Sequence, residues 1–449
     1  MASSKKPSCA KALARTLDQF LDRHCTSASR LVVGLSGGLD SVVLLDLLAD
    51  AAPRRGIVLS AAHVHHGLSA NADRWAEFCQ ELCRGYAIPC HVLRVSVARD
   101  SGLGIESAAR TARYAALLAL DCDALVLAHH RDDQAETLLL QLLRGAGLQG
   151  LAAMPEIRLE QGRPLLRPLL DVPRNLLLAY ANAKGLRWIE DESNLDLSFD
   201  RNFLRHHIFP ELEQRFPASR TTLARSAAHL AEAAELLDEV ARADAATLLR
   251  QDRLDIAGLR QLSAPRARNL LRFWLAQHLS APPSARRLQE IHRQLLQARD
   301  EAQLHVDVEG GQVRRYQGEA WFDAAMPRDW SSTPAWQGEA ELALAHGRLT
   351  FQQVTGAGLS LARLAGAPLQ IRFRQGHERL RPDSRRPARS LKYLMQEAGI
   401  PPWQRERLPL LYWRDVLVNI PGIANACEFL AAADEPGVLI AWQPVAAAA

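Results

Sequence analysis

Residues 31–143 alternate short, continuous apolar runs with helical stretches that are apolar on one side only. The runs are Leu31–Leu35, Ile57–Val64, Cys90–Val95 and Leu125–Ala128. The helical stretches cover Ser41–Leu48, Ala72–Tyr86, Ile105–Leu120 and Asp133–Leu143, with one more ahead of them at Ala10–His24. A strand that is apolar along its whole length is buried on both faces. Strands of that kind, each followed by an amphipathic helix, predict an α/β fold with a doubly wound parallel sheet.

The pattern changes after Gly145. Gly147, Gly150, Pro155, Pro164 and Pro168 mark a loop-rich segment, and helices resume at Arg174–Lys184 and around RNFLRHHIFP. Ser219–Arg250 reads as one long connector helix into a mainly helical domain, with a small sheet at Gln303–Trp321. The polar stretch Pro327–Pro334 is a candidate boundary, and the remainder reads as a small mixed α/β domain with a helix near Ser390–Ala398. The expected division is therefore 1–217, 218–330 and 338–449.

Composition narrows the class. With 48% hydrophobic and 23% charged residues, the 449-residue chain has the balance of a globular protein, which excludes global disorder. No stretch approaches the roughly 18 apolar residues of a membrane span, and Arg15, Asp18 and Asp22 interrupt the N-terminal segment where a signal peptide needs an apolar run. A cytoplasmic protein is expected. The seven cysteines are scattered without a C-x-x-C pair, so neither a disulfide framework nor a zinc ribbon is supported. Cys79 and Cys83, one helical turn apart, read as buried helical thiols.

Two segments at strand ends carry chemistry. Ser36-Gly37-Gly38-Leu39-Asp40-Ser41 joins the first strand to its helix. Paired glycines let backbone N–H groups form an anion nest, the helix N-terminus adds positive dipole, and the two serines add hydroxyl donors. Asp40 is placed to hold a magnesium ion. No lysine follows, so this is not a Walker A loop. The competing reading is a glycine turn needed only for tight packing. The second segment, HHRDDQAET at 129–137, follows the fourth strand on the edge where open α/β sheets bind ligands. Asp133 and Glu136 share a helix face and suit a cationic amine or a metal. The same spacing also fits a capping box.

SGGLDS resembles the SGGxDS loop of the N-type ATP pyrophosphatases, whose fold is of the adenine nucleotide α-hydrolase type. HHRDDQAET is similar to the HHxDDQxET signature of the tRNA(Ile)-lysidine synthetases within that group. HVHHGL at 63–68, Gly104-Ile105-Glu106 with Ala109–Tyr114, WIEDESN at 188–194 and DRNFLR at 200–205 resemble further elements of that family. The likeness is specific over about 28–215 and returns from about 370 to 440.

The resemblance implies a ligase that uses ATP and Mg²⁺, a CAU-anticodon isoleucine tRNA and L-lysine. Ser36, Gly37, Gly38, Leu39, Asp40, Ser41 and His65 would then bind ATP. Asp40, Arg113, Asp133 and Glu136 would be catalytic, Asp40 holding the metal. Arg201 and Arg205 would meet tRNA. A homodimer is allowed, although no sequence feature fixes the oligomeric state.

The stretch 372–407 has ten Arg and Lys against four Asp and Glu, a larger excess than the whole chain's +4. Tyr393 and Trp403 interleave as stacking platforms. Charge alone fits a solvated surface equally well. The resemblance to the C-terminal tRNA-binding domain of the longer family members assigns Arg379, Arg381, Arg385, Arg386 and Lys392 to tRNA. Three rivals stand beside this reading. A 2-thiocytidine synthetase is disfavoured by the missing C-x-x-C pair. A small-molecule amide synthetase would not need the arginine-rich segment. An ATP-sensing RNA-binding module would show no turnover.

Overall fold

The computed structural model describes residues 9–97, 105–279, 282–297, 304–326 and 334–444. Gly104 and most of the expected boundary at Pro327–Pro334 lie outside the described residues. The protein divides into two compact units between Leu236 and Leu237.

The first unit is built on strands β1 (Arg30–Gly34), β2 (Val58–His65), β3 (Cys90–Arg94), β4 (Ala124–Val126), β5 (Ile157–Glu160) and β6 (Arg163–Leu166). They lie in the order β3-β2-β1-β4-β6-β5, all parallel except the β5–β6 hairpin. The helices are α1 (Cys9–His24), α2 (Leu39–Arg55), α3 (Ala72–Gly85), α4 (Ile105–Leu118), α5 (Arg131–Leu143) and α6 (Arg174–Lys184). Strand β1 shows why its residues alternate in partner while remaining uniformly apolar. Leu31 and Val33 join the core formed with α1, α2 and α6, and Val32 joins Ala62, Leu117 and Leu125 on the opposite face. Burying a side chain of this size stabilises the fold by roughly 1.5–3 kcal/mol. The doubly wound sheet expected from the alternation is present.

The β5–β6 hairpin is absent from the sequence reading. Pro155, Pro164 and Pro168 mark the segment as loop, yet Gly162 makes a hairpin turn with φ +78°. Pro164 precedes the point at which β6 pairs with β4, so its missing N–H costs no bond in that ladder.

The long helix α7 (Ser219–Leu248) runs through the division between the units. In the second unit, helices Ala264–Leu275 and Ala285–Gln297 close a core around Trp274, Ile291 and Leu295. An antiparallel sheet containing His305–Val308, Gly311–Tyr316 and Glu319–Ala324 covers that core, as the small-sheet reading expects. The C-terminal part is richer in strand than in helix. It has a five-stranded and a four-stranded antiparallel sheet, a short ribbon pairing Arg379–Leu380 with Arg389–Ser390, and the expected helix at Leu391–Glu397. No helix among the described residues is long and apolar enough to cross a membrane.

Candidate active site

Strand β1 has β2 on one side and β4 on the other, so chain direction through the sheet reverses there. Ligands in open α/β sheets bind outside the carboxyl ends of strands at such a switch point. Both chemistry-bearing segments begin at this edge, SGGLDS after β1 and HHRDD after β4.

The loop is held from within and from above. Ser36 Oγ accepts the Gly38 N–H at 3.3 Å, and Ser41 Oγ donates to the Gly38 carbonyl at 2.9 Å. Gly37 has φ +85°, and a β-carbon there would meet Ile189 Cδ1 at 2.7 Å. Ile189 also donates its N–H to the Gly37 carbonyl at 2.9 Å, which lays the WIEDESN segment over the loop. The Leu39 side chain is buried in the core beneath, leaving only its backbone for a ligand.

Asp40 lies in the first turn of α2. Its Oδ1 is buried without a hydrogen-bond partner among the described residues, 3.7 Å from Arg174 Nε. Its Oδ2 lies 3.5 Å from His130 Nε2. His130 caps α5: its Nδ1 accepts the Asp133 N–H at 3.3 Å, while Asp133 Oδ2 accepts the His130 N–H at 3.0 Å. The capping box therefore starts three residues earlier than the Asp133–Glu136 spacing suggests, with Asp133 as its third helical residue. Burial pushes the Asp133 carboxyl up, but His130 and Arg201 outweigh it, and Asp133 sits below the usual carboxylate range. The neighbouring His129 is pushed down to about 3, chiefly by burial. Its Nδ1 accepts from Arg167 Nε at 3.3 Å.

Glu136 is 1% exposed and enclosed by arginines. Arg205 donates to both its oxygens at 2.8 Å, Arg201 Nε to Oε2 at 3.1 Å, and Arg220 Nη1 stands 3.7 Å from Oε1. A direct grip of Glu136 on lysine meets oxygens already taken by arginine. Arg201 and Arg205, expected on tRNA, are in this arrangement turned onto α5. A π-helical turn at Leu204–Ile208 carries Arg205, a distortion frequent at functional sites.

Arg113 is half-buried against Tyr114, with its guanidinium 5.5 Å from the ring centroid. Burial lowers its pKa. His65, expected to bind ATP, lies with its Nε2 3.2 Å from Asp73. The sequence reading missed His66, whose Nδ1 is buried without a hydrogen-bond partner among the described residues. Burial and the nearby Arg113 charge both lower the His66 pKa. The HVHHGL run itself offered that signal.

The basic stretch divides in two. Arg407 pairs with Asp323 at 2.6 Å, Arg405 is buried and donates to Tyr316 Oη at 3.2 Å, and Arg372 pairs with Asp415 at 3.1 Å. Trp403 packs edge-on against Tyr316 and Trp321 at 6.0 and 6.2 Å, so it is part of an internal aromatic cluster rather than an open platform. Arg379, Arg381, Arg385, Arg386 and Lys392 sit exposed on the short ribbon, its turn and the helix that follows. Arg381 is 3.8 Å from Glu428, Arg386 3.7 Å from Asp383, and Arg379 donates to the Ala388 carbonyl at 2.6 Å. Tyr393 remains 55% exposed beneath Arg389.

Three family matches cover this architecture: a PP-loop domain at 9–212, a TilS substrate binding domain at 254–321 and a TilS substrate C-terminal domain at 369–442. A tRNA(Ile)-lysidine synthase of Nitrosomonas europaea is 47% identical over 424 residues, covering 92% of each chain. The chain belongs to the tRNA(Ile)-lysidine synthase family. The enzyme of that name from Ralstonia nicotianae is 46% identical over 434 residues, again covering 92% of each chain. A solved TilS C-terminal domain is 19% identical, covering 25% of this chain and 98% of that one, with a TM-score of 0.22. Membership makes this protein an ATP-dependent ligase of the PP-loop class.

Proposed function

We infer that this chain ligates L-lysine to C2 of the wobble cytidine in the CAU-anticodon isoleucine tRNA. ATP first adenylates the C2 oxygen and releases pyrophosphate. The lysine ε-amine then attacks C2 and expels AMP, leaving lysidine. The observation that carries this reading is the bridge by which His130 holds Asp40 of the Gly-rich loop and Asp133 of α5 within 3.5 Å of one ring. In this reading the nucleotide and amine functions belong to the two segments that this ring joins.

In this reading the backbone of Ser36–Ser41 cradles phosphate oxygens, a preorganised stabilisation of departing charge. Arg113, half-buried against Tyr114, steadies the negative phosphate or the adenylate in this reading. Asp133 stays ionised and orients the lysine amine. Glu136 acts one step back, holding Arg201 and Arg205 where the tRNA backbone arrives. Magnesium fits the donor set in one form. Asp40 Oδ1 is an orphaned buried oxygen, and no cluster of three or more metal-ligating side chains occurs among the described residues. An ion carried in on ATP phosphates and anchored by one carboxylate matches the preference of Mg²⁺ for water and phosphate ligands. Bound there, it would neutralise charge on the leaving pyrophosphate.

The exposed ribbon residues Arg379, Arg381, Arg385, Arg386 and Lys392 serve tRNA binding, with the three expected domains as the division of labour. Work on a tRNA is consistent with the cytosol. The test is incubation with ATP, labelled lysine and separate tRNAs. Label should appear at the wobble cytidine of the CAU-anticodon isoleucine tRNA only, with one AMP per lysine. AMP release that does not depend on lysine and tRNA would overturn the reading.

A further inference from the structure

Arg174 begins α6, and the segment Asp171–Arg174 that leads into it is fixed against the start of α5 by four hydrogen bonds. The Arg174 N–H donates to Asp132 Oδ1 at 3.2 Å. The Arg131 N–H donates to the Val172 carbonyl at 2.9 Å, and the Arg131 side chain reaches the Asp171 carbonyl at 3.0 and 2.6 Å. The Arg174 side chain, in contrast, is 47% exposed. Its ion pair among the described residues is the 3.7 Å approach of Nε to Asp40 Oδ1, beyond hydrogen-bonding range. Arg201, Arg205 and Arg220 are engaged by Glu136, Asp133, Asp132 and Glu213. Arg174 thus combines a fixed root, a loosely held charge and a place at the loop. A half-exposed ion pair of this length contributes little stability and is readily exchanged.

We propose that Arg174 is a further catalytic residue, which leaves Asp40 for the polyphosphate when ATP binds and stabilises the departing pyrophosphate. The inference rests on the reading of the Ser36–Ser41 loop as the ATP site. In the first step the C2 oxygen of the cytidine bonds to the α-phosphorus. The bond from that phosphorus to the α–β bridging oxygen breaks, and its electron pair leaves with pyrophosphate. Arg174 meets the oxygens that gain this charge, and its planar fork suits phosphate better than an ammonium does.

The test uses the full chain with Arg174→Gln and Arg174→Lys. Arg174→Gln should lower kcat for tRNA- and lysine-dependent AMP release by about 100-fold, the usual effect of losing one transition-state donor, with a smaller change in the KM for ATP. Binding of inorganic pyrophosphate, measured by calorimetry, should weaken at least about tenfold, as expected when a charge-assisted hydrogen bond is removed. The melting temperature should not change, and Arg174→Lys should recover part of both losses. Equal pyrophosphate affinity in wild type and Arg174→Gln would overturn the proposal, as would an activity loss that only tracks a loss of folded protein. Wild type that binds pyrophosphate but releases no AMP would instead overturn the functional reading, while the calorimetric comparison would still decide the role of Arg174.

Discussion

His130 Nε2 lies 3.5 Å from Asp40 Oδ2, joining two loops that are 90 residues apart in the chain. The cap at α5 assigns the tautomer. Because Nδ1 accepts the Asp133 N–H, the ring carries its proton on Nε2, facing Asp40. Burial would push the imidazole pKa down, but the Asp133 and Asp40 carboxylates together hold it above its ordinary value. One buried ring thereby touches both the Ser36–Ser41 loop and the first turn of α5.

Asp40→Ala should fold normally, since the side chain is at the loop edge rather than in the core. AMP formation should fall by orders of magnitude, because magnesium and pyrophosphate lose their anchor. Melting temperature and AMP release measured together check this. Turnover like that of wild type would remove the loop from the chemistry.

Asp133→Asn separates charge from capping. Asparagine can still accept the His130 N–H, and Glu136 still holds Arg201 and Arg205. Activity should collapse while the melting temperature moves little. If stability drops and activity per folded molecule persists, Asp133 serves only to start the helix.

His129 supplies a pH test with a definite sign. It is held at about 3 in the fold, by burial and then by the Arg167, Arg201 and Arg113 charges, with Asp133 opposing them. The unfolded value is about 6.5. The unfolded chain therefore binds the extra proton more readily, and stability is lost as pH falls from about 6.5 towards 3. His129→Asn, which retains an acceptor for Arg167, should flatten the decline in melting temperature between pH 7 and 5. Parallel curves for the two proteins would contradict the assignment.

The sheet and its ligand edge were legible because buried parallel strands write themselves as uninterrupted apolar runs, as at Leu31–Leu35. The β5–β6 hairpin was not, since Pro155, Pro164 and Pro168 carry loop signals and tertiary pairing overrides the one at Pro164. The cap at His130 is hidden in the sequence because histidine is not a usual N-cap residue, whereas Asp133 is of a type that is. The hydrogen bonds of Glu136 with Arg201 and Arg205 span 65 and 69 residues, beyond any local spacing rule. Trp403 looked like a free platform only because Tyr316 and Trp321 come from a distant hairpin.

The exposed ribbon makes the final prediction. Arg379, Arg381, Arg385 and Arg386 cluster around one turn, and Arg386 leaves 74% of its side chain in solvent. Their nearest acids, Asp383 and Glu428, stand 3.7 and 3.8 Å away, so phosphate can compete for these guanidinium groups. Neutralising all four should weaken tRNA binding while ATP affinity stays unchanged, because the Ser36–Ser41 loop belongs to the other unit. For every phosphate no longer neutralised, the slope of log affinity against log salt should flatten by roughly 0.7–0.9. Saturating tRNA should recover part of the turnover, since the catalytic groups are intact. A salt titration of tRNA binding for wild type and the quadruple variant checks this. Identical slopes and affinities would make the ribbon an ordinary solvated surface and leave tRNA recognition to residues before it.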